Sequence, residues 1–198
     1  MVLKGRLGAA FFYGALVRML CAMKTKNDFI VRPTNLADTA LLPGIERSAA
    51  ILFLQDPTLA FIAQADAGIS ELQHRQYVAQ GTSWVAVESE QQVLGFLCAQ
   101  PEENALHILE VSVAQSAQGQ GVGKALVQQC CAEAKQLGFT AVTLTTFTNV
   151  LWNKPFYEKL GFVVLDAPTM PEFLRCTLRD EESYGFPTGS RCAMRKVL

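Results

Sequence analysis

The sequence predicts an α/β domain built on a mostly antiparallel sheet, and three observations carry that expectation. The chain has 198 residues, 50% hydrophobic and 18% charged, which suits one globular domain with a sizeable buried core. Three strand-like runs, "SWVAVE", "QQVLGFLCAQ" and "ALHILEVSV", follow one another across short polar turns, the pattern of an antiparallel meander. A helical period after Gly121 then leads into a strand, helix, strand order.

The elements follow in chain order. Phe29 to Arg32 is a short apolar strand stopped by Pro33, and Asn35 or Asp38 is placed to cap a helix running through Ile45 to Phe53. Pro57 to Gly68 reads as a shorter helix or loop, and Glu71 to Ala79 as another helix. After the meander, Val122, Ala125, Leu126, Cys130, Ala134 and Leu137 recur at helical spacing, with Gly138 as the residue just past the end. "TAVTLTTF" is rich in β-branched residues and predicts a buried strand. Pro155 to Leu160 predicts a short helix ended by Gly161, "FVVLD" a strand, Pro171 to Glu182 a helix, and "RCAMRKVL" a last strand.

Lys+Arg 17 against Asp+Glu 18 leaves a net charge of -1, so no general attraction to nucleic acid or to an anionic membrane is expected. Cys21, Cys98, Cys130, Cys131, Cys176 and Cys192 form no CxxC pair, and with His74 and His107 they offer no spacing for zinc; no metal site is expected. Cys130 and Cys131 fall in the helical pattern as small buried hydrophobes, and the cysteine usage points to a reducing, cytoplasmic setting. Lys4 and Arg6 ahead of the apolar run Leu7 to Val17 imitate a signal peptide, but Arg18 follows directly and no small-x-small cleavage site closes the run. Residues 1–22 are expected to be an N-terminal extension, with Met23 opening the functional domain, residues 23–198.

Gly119, Gly121 and Gly123 in "QSAQGQGVGKAL" lie between a strand and the long helix, where backbone N–H groups can crowd toward an anion. A Walker A loop is disfavoured because Gly123-Lys124 is followed by Ala125 and position 118 is Gln. A dinucleotide fingerprint is disfavoured because the turn follows several strands and the next strand ends in Thr145, Thr146 and Phe147 rather than an acid. Gln118-x-x-Gly121-x-Gly123 instead resembles the pyrophosphate loop of the GNAT N-acetyltransferases, and "NVLWNKPFYEKLGF" resembles the helix after their fifth strand. Two ordered motifs separated by a helix and a strand are far more specific than either alone. The resemblance covers residues 28–198 and implies the GNAT fold, a mixed, mostly antiparallel sheet splayed after strand four with flanking helices. It also implies acetyl-CoA as cosubstrate and transfer of the acetyl group to a primary amine by direct attack.

By the same resemblance the loop residues Gln118, Gly119, Gln120, Gly121, Val122, Gly123 and Lys124 bind the CoA pyrophosphate, Asn153 contacts the cofactor, and the amides of Val111 and Val113 meet the pantetheine. Tyr157 matches the tyrosine near the thiol; a phenol there can protonate the departing thiolate. The residues alone leave Asn153 open as a helix cap ahead of Pro155, and Trp152 and Phe156 as packing groups. His107 and Glu110 are both candidates for the base, and strict alternation puts them on opposite faces unless a β-bulge intervenes. The acceptor pocket is expected around Glu46, Arg47, Ser48 and Phe147, although Glu46 and Arg47 also read as a solvated surface pair. The acceptor is a small-molecule or peptide amine of unread identity, and a homodimer stays open. The rivals are a non-catalytic acyl-CoA-binding or regulatory module and an acyltransferase with a longer acyl donor.

Overall fold

Strand pairing organises the chain into one seven-stranded sheet of order β1-β2-β3-β4-β5-β7-β6. The computed structural model describes residues 29–64, 68–89 and 92–198; the expectations for residues 1–22 and Met23 lie outside them. The strands are β1 (Ile30–Pro33), β2 (Ser83–Ser89), β3 (Gln92–Glu102), β4 (Ala105–Val113), β5 (Ala141–Phe147), β6 (Val163–Val164) and β7 (Arg191–Val197). The helices are α1 (Leu42–Ala50), α2 (Ala60–Gln64), α3 (Glu71–Ala79), α4 (Val122–Gln136), α5 (Lys154–Lys159) and α6 (Glu172–Tyr184). Helix α1 tightens into a 3₁₀ stretch over Ile51–Gln55.

The meander is realised in β2, β3 and β4, each antiparallel to the next. Pro33 does not stop β1 short but ends it, opposite Trp84 on the outermost strand, where a missing N–H is tolerated. Neither Asn35 nor Asp38 caps α1: its N-cap is Leu41, with no side-chain bond and Pro43 in its first turn. The Asp38 carboxylate instead accepts from the Asn35 amide at 2.7 Å and from Arg32 at 2.7 and 3.0 Å, because an acid can close a tight turn and hold a guanidinium at once. "FVVLD" shortens to the strand Val163–Val164.

Apolar burial sandwiches the sheet. Helix α4 buries Val122, Leu126, Val127, Cys130, Cys131 and Ala134 against one face, with Trp84, Leu97, Leu106, Ile108 and Met194 among its partners. The predicted stripe holds except at Ala125, which is half-buried, and at Leu137, the C-cap, which is exposed. Leu42 and Ile45 of α1 pack with Val85, Val87, Phe96 and Cys98 on the opposite face. Each large side chain fully withdrawn from water contributes about 1.5–3 kcal/mol relative to exposure, so these two clusters hold both helices to the sheet. Among the described residues no helix is long and apolar enough to cross a membrane.

Two irregularities of β4 shape the site. Strands β4 and β5 run parallel but pair only at Ala105↔Ala141, Leu106↔Val142 and His107↔Thr143, while β5 stays paired to β7 as far as Phe147↔Arg191. The sheet therefore splits beyond His107. The β3–β4 register also jumps from Ala99↔Ile108 to Cys98↔Glu110, leaving Leu109 as the extra residue of a β-bulge.

Candidate active site

A cavity of about 980 Å³ opens in the split between β4 and β5. One end is bounded by the glycine-rich turn and α5, the other by α1, the end of α6 and the start of β7.

At the first end, Gly119 and Gly121 have φ of 75° and 87°, a region that favours glycine because a Cβ would crowd the backbone. Gly121 is the N-cap of α4, whose first turn has neither a side-chain cap nor an acidic residue. The first intrahelical bond joins Ala125 N–H to the Gly121 carbonyl at 3.0 Å, so the amides of Val122, Gly123 and Lys124 precede the helical ladder. Their N–H groups and the helix dipole together form an anion seat. The loop glutamines brace it from within: Gln118 donates to the Val113 carbonyl at 3.2 Å and Gln120 to the Ser116 carbonyl at 2.9 Å.

The β4 wall presents backbone donors. Ala114 N–H donates to the Leu94 carbonyl of β3 at 2.8 Å. Because bonding to one neighbour recurs at every second residue of a strand, the amides of Glu110 and Ser112 share that direction, and those of Val111 and Val113 point away from β3 into the split. Across it stand Asn153, Phe156 and Tyr157 of the α5 region. Asn153 occupies the N-cap position, but its side chain makes no cap bond and lines the cavity instead. The Tyr157 ring packs between Phe156 at 5.0 Å and Phe162 at 5.8 Å. Burial first, and then the charge of Glu110, push its phenol above the ordinary value, so it is a proton donor at neutral pH.

The bulge decides the geometry of the two base candidates. Ile108, Val111 and Val113 face the α4 core, whereas Leu109 faces the α1 cluster, and Glu110 and His107 lie on that second side. Glu110 lines the cavity and accepts a hydrogen bond from Ser112 Oγ at 2.7 Å; burial raises its pKa against the opposing pull of Ser112 and Arg191. His107 shares a hydrogen bond between Nδ1 and Thr143 Oγ1 at 3.0 Å, meets Phe173 edge-on at 5.6 Å, and is not in the cavity lining. Burial, helped by Arg191, lowers its pKa to about 4.

Glu46 differs from the solvated partner of Arg47 that its local sequence suggests. Its carboxylate accepts from the Ile69 amide at 3.0 Å and faces the same cavity as Glu110. Burial and the Glu110 charge raise its pKa to about 7. Arg47 remains exposed at the cavity edge, and Ser48 turns its hydroxyl to the Gln115 amide at 3.1 Å.

At the far end of the cavity the sequence points to Phe147 but not to Arg191, Glu181, Phe53 or Phe186. Arg191 donates to both oxygens of Glu181 at 2.7 and 2.8 Å and to Thr145 Oγ1 at 3.0 Å. Its guanidinium lies 4.6 Å from the Phe147 centroid and 5.1 Å from that of Phe186. Phe53 meets Phe147 edge-on at 5.5 Å and Trp152 at 6.3 Å, so Trp152 and Phe156 both pack and line the cavity. The arginine in "RCAMRKVL" carries no motif; the concentration of aromatics near positions 147, 152 and 186 is the available signal.

Comparison with known proteins places this geometry. The model of the acetyltransferase (GNAT) family matches residues 51–162. Rat N-acetyltransferase 8F1 is 36% identical over 90 residues, 42% of this chain and 40% of that protein. Human N-acetyltransferase 8B is 36% identical over 85 residues, 40% of this chain and 37% of that protein. The matched stretch thus spans well under half of either relative. Among solved structures, the PaiA N-acetyltransferase of Thermoplasma acidophilum, in complex with coenzyme A, superposes with a TM-score of 0.63 at 15% identity, covering 86% of this chain and 99% of that one. The N-acetylglutamate synthase of Neisseria gonorrhoeae, complexed with coenzyme A and N-acetyl-glutamate, gives 0.61 at 16%, covering 86% and 35%. At such identities the structural likeness speaks for the fold alone. The split sheet, the glycine turn at the start of α4 and a family match over more than half of the chain lead to one conclusion: the chain belongs to the GNAT acetyltransferase family.

Proposed function

We propose that the domain transfers an acetyl group from acetyl-CoA to a primary amine by direct attack within a ternary complex. The observation that carries this reading is the sharing of one cavity by three groups: the open N-terminus of α4, the outward amides of Val111 and Val113, and the Tyr157 phenol. The residues fit coenzyme A. The amides of Gln118, Gly119 and Gly121 to Lys124 suit a pyrophosphate, and Lys124 adds positive charge beside them; Gln120 lies outside the cavity lining. The Val111 and Val113 amides suit an extended amide-bearing arm and can polarise a carbonyl; Asn153 adds a side-chain amide on the other wall.

Acetyl-CoA supplies an activated acyl carbon. The protein's tasks are to hold that carbon beside the amine, remove a proton from the nitrogen and deliver one to the sulfur. Glu110, in the cavity, suits the first proton transfer better than His107, which is engaged with Thr143 and lies outside the lining. Tyr157 suits the second. Among the described cysteines, Cys98, Cys130 and Cys131 are buried thiols whose pKa burial raises, which supports direct attack over a cysteine-bound acyl intermediate.

The test pairs calorimetric titration of acetyl-CoA with CoA-release assays over a broad amine panel. The wild-type protein should bind acetyl-CoA and turn over with at least one amine. In Gly121→Val a branched residue must adopt φ near 87° with its Cβ beside the anion seat, so affinity should fall by at least about tenfold, consistent with about 1–2 kcal/mol of backbone strain plus lost phosphate contacts. Unchanged affinity in a folded variant would remove the loop from the site. Binding without turnover on any amine would favour an acyl-CoA-binding module.

A further inference from the structure

We propose that the acceptor is a primary amine on a bulky apolar, preferentially aromatic, body, and that Glu46 together with Glu110 receives its ammonium group. This assignment rests on the acetyl-transfer reading above and adds to it an acceptor class and a residue.

Glu46 sits in a built seat. A Cβ on Gly68 would lie 2.8 Å from Glu46 Cδ and Oε2 and 2.9 Å from Oε1, so both carboxylate oxygens rest against a position that only a glycine leaves clear. The Ile69 amide donates to Oε2 at 3.0 Å. Opposite, Glu110 is held by Ser112 Oγ at 2.7 Å. The two acids line one cavity and repel each other.

Charge around them is unbalanced. The acceptor end carries the carboxylates Glu46, Glu110 and Glu181 and the guanidiniums Arg47 and Arg191. Arg47 on α1 attracts Glu46, and Arg191 on β7 attracts Glu110, but Arg191 is committed to Glu181 through both of its oxygens. With every group ionised the end is one positive charge short, and an ammonium ion supplies it. Glu46, raised to about 7, can then take the proton near neutral pH.

The walls select what the ammonium is attached to. Phe53, Phe147, Trp152, Phe186 and Ile62 surround the remaining space, with Phe147 and Phe186 edge-on at 5.3 Å. Such faces favour an apolar or aromatic body. A free amino acid would bring its carboxylate against Glu46 and Glu110 while Arg191 is already engaged. The distal cations of a polyamine would face aromatic walls and a Glu181 already paired.

The chemistry balances. The ammonium gives one proton to the Glu46–Glu110 pair, leaving a neutral amine. Its nitrogen forms the C–N bond as the C–S bond breaks, the sulfur takes the phenol proton of Tyr157, and the phenolate takes the proton that leaves nitrogen as the amide forms. The carboxylic acid returns its proton to solvent, so each turnover releases one proton.

The test compares initial rates of CoA release with 2-phenylethylamine, cyclohexylmethylamine, spermidine and phenylalanine, using wild type, Glu46→Gln, Glu46→Asp and Gly68→Ala. We expect kcat/KM for the two apolar amines to exceed that for spermidine and phenylalanine by at least about tenfold, the scale of a well-placed charge or apolar group. Glu46→Gln should lower kcat/KM for 2-phenylethylamine by about 10²-fold with acetyl-CoA affinity unchanged. Glu46→Asp should restore part of the loss. Gly68→Ala should fold, since its added methyl meets only the end of a flexible side chain, yet should lose rate by displacing that carboxylate. Preference for spermidine or phenylalanine, or a Glu46→Gln enzyme at the wild-type kcat/KM, overturns the assignment while leaving acetyl transfer standing. Normal acetyl-CoA binding with no turnover on any amine overturns both.

Discussion

Replacing Tyr157 by Phe isolates one hydroxyl. The ring contacts with Phe156 and Phe162 survive the change, and the half-buried position keeps its apolar body, so stability should move by no more than about 1 kcal/mol. In wild type, burial and the neighbouring Glu110 charge hold the phenol above the ordinary tyrosine value of 10.0. It is therefore fully protonated across any working pH range and available as a donor to a departing thiolate. Removing that donor should slow the chemical step by about 10²-fold, which corresponds to about 2.7 kcal/mol of barrier. Acetyl-CoA affinity should stay at the wild-type value, because the proton is needed only as the C–S bond breaks. The assay is single-turnover acetylation with enzyme in excess over acetyl-CoA, which removes product release from the rate. A Tyr157→Phe enzyme that binds acetyl-CoA normally and acetylates at the wild-type single-turnover rate would refute the assignment.

Packing and titration give further expected outcomes. A Cβ at Gly95 would lie 2.7 Å from the Ser112 carbonyl oxygen and 3.2 Å from Val113 Cα; this backbone cannot swing away like a side-chain tip, so Gly95→Ala should cost about 1–3 kcal/mol in denaturant unfolding and disturb the β4 wall. His74 is fully buried, meets Phe96 edge-on at 4.9 Å and has no hydrogen-bond partner at either ring nitrogen. Burial lowers its pKa to about 4, so the unfolded chain binds a proton that the native state refuses, and stability falls as pH drops from about 6.5 toward 4. His74→Leu should remove its own share of that slope, leaving the share of His107, and gain up to about 3 kcal/mol on wild type at the acid end; equal acid sensitivity of both proteins would refute it. Glu46 has the opposite sign: the native state keeps a proton that the unfolded chain releases between about 4.5 and 7, so wild-type stability falls as pH rises through that window. Glu46→Gln should gain on wild type over the same window, read from unfolding midpoints at pH 5 and pH 8.

The parts of the fold legible in the sequence are those in which local pattern and tertiary burial agree. Helix α4 presents its apolar stripe to a sheet face, and the meander strands carry their own turn signals. The misplaced cap at Asp38 marks the limit of such reasoning. An acid about one turn ahead of a helical run looks like a cap, but Arg32 on the preceding strand competes for it at 2.7 Å, and a paired guanidinium outweighs one backbone N–H. The length of the sixth strand was equally hidden, because only β7 pairs with it and only at Val163 and Val164.

Site residues divide along the same line. Gly119 and Gly121 were legible because the backbone conformation itself selects the residue type, and Tyr157 because it stands at a fixed distance from a second glycine. Glu46 was legible only as one of three neighbours on an early helix, with a solvated surface pair as the competing reading, and nothing within α1 separates it from Arg47 and Ser48. Its withdrawal from solvent is supplied by Gly68 and Ile69 on another segment and by Glu110 on a bulged strand. The bulge is the decisive step. Under strict alternation from Ile108, Glu110 would fall on the α4 side with it, and its charge would be buried away from the cavity. One inserted residue thus brings two acids to a single face, and that pairing, rather than either glutamate alone, gives the acceptor end its affinity for a cation.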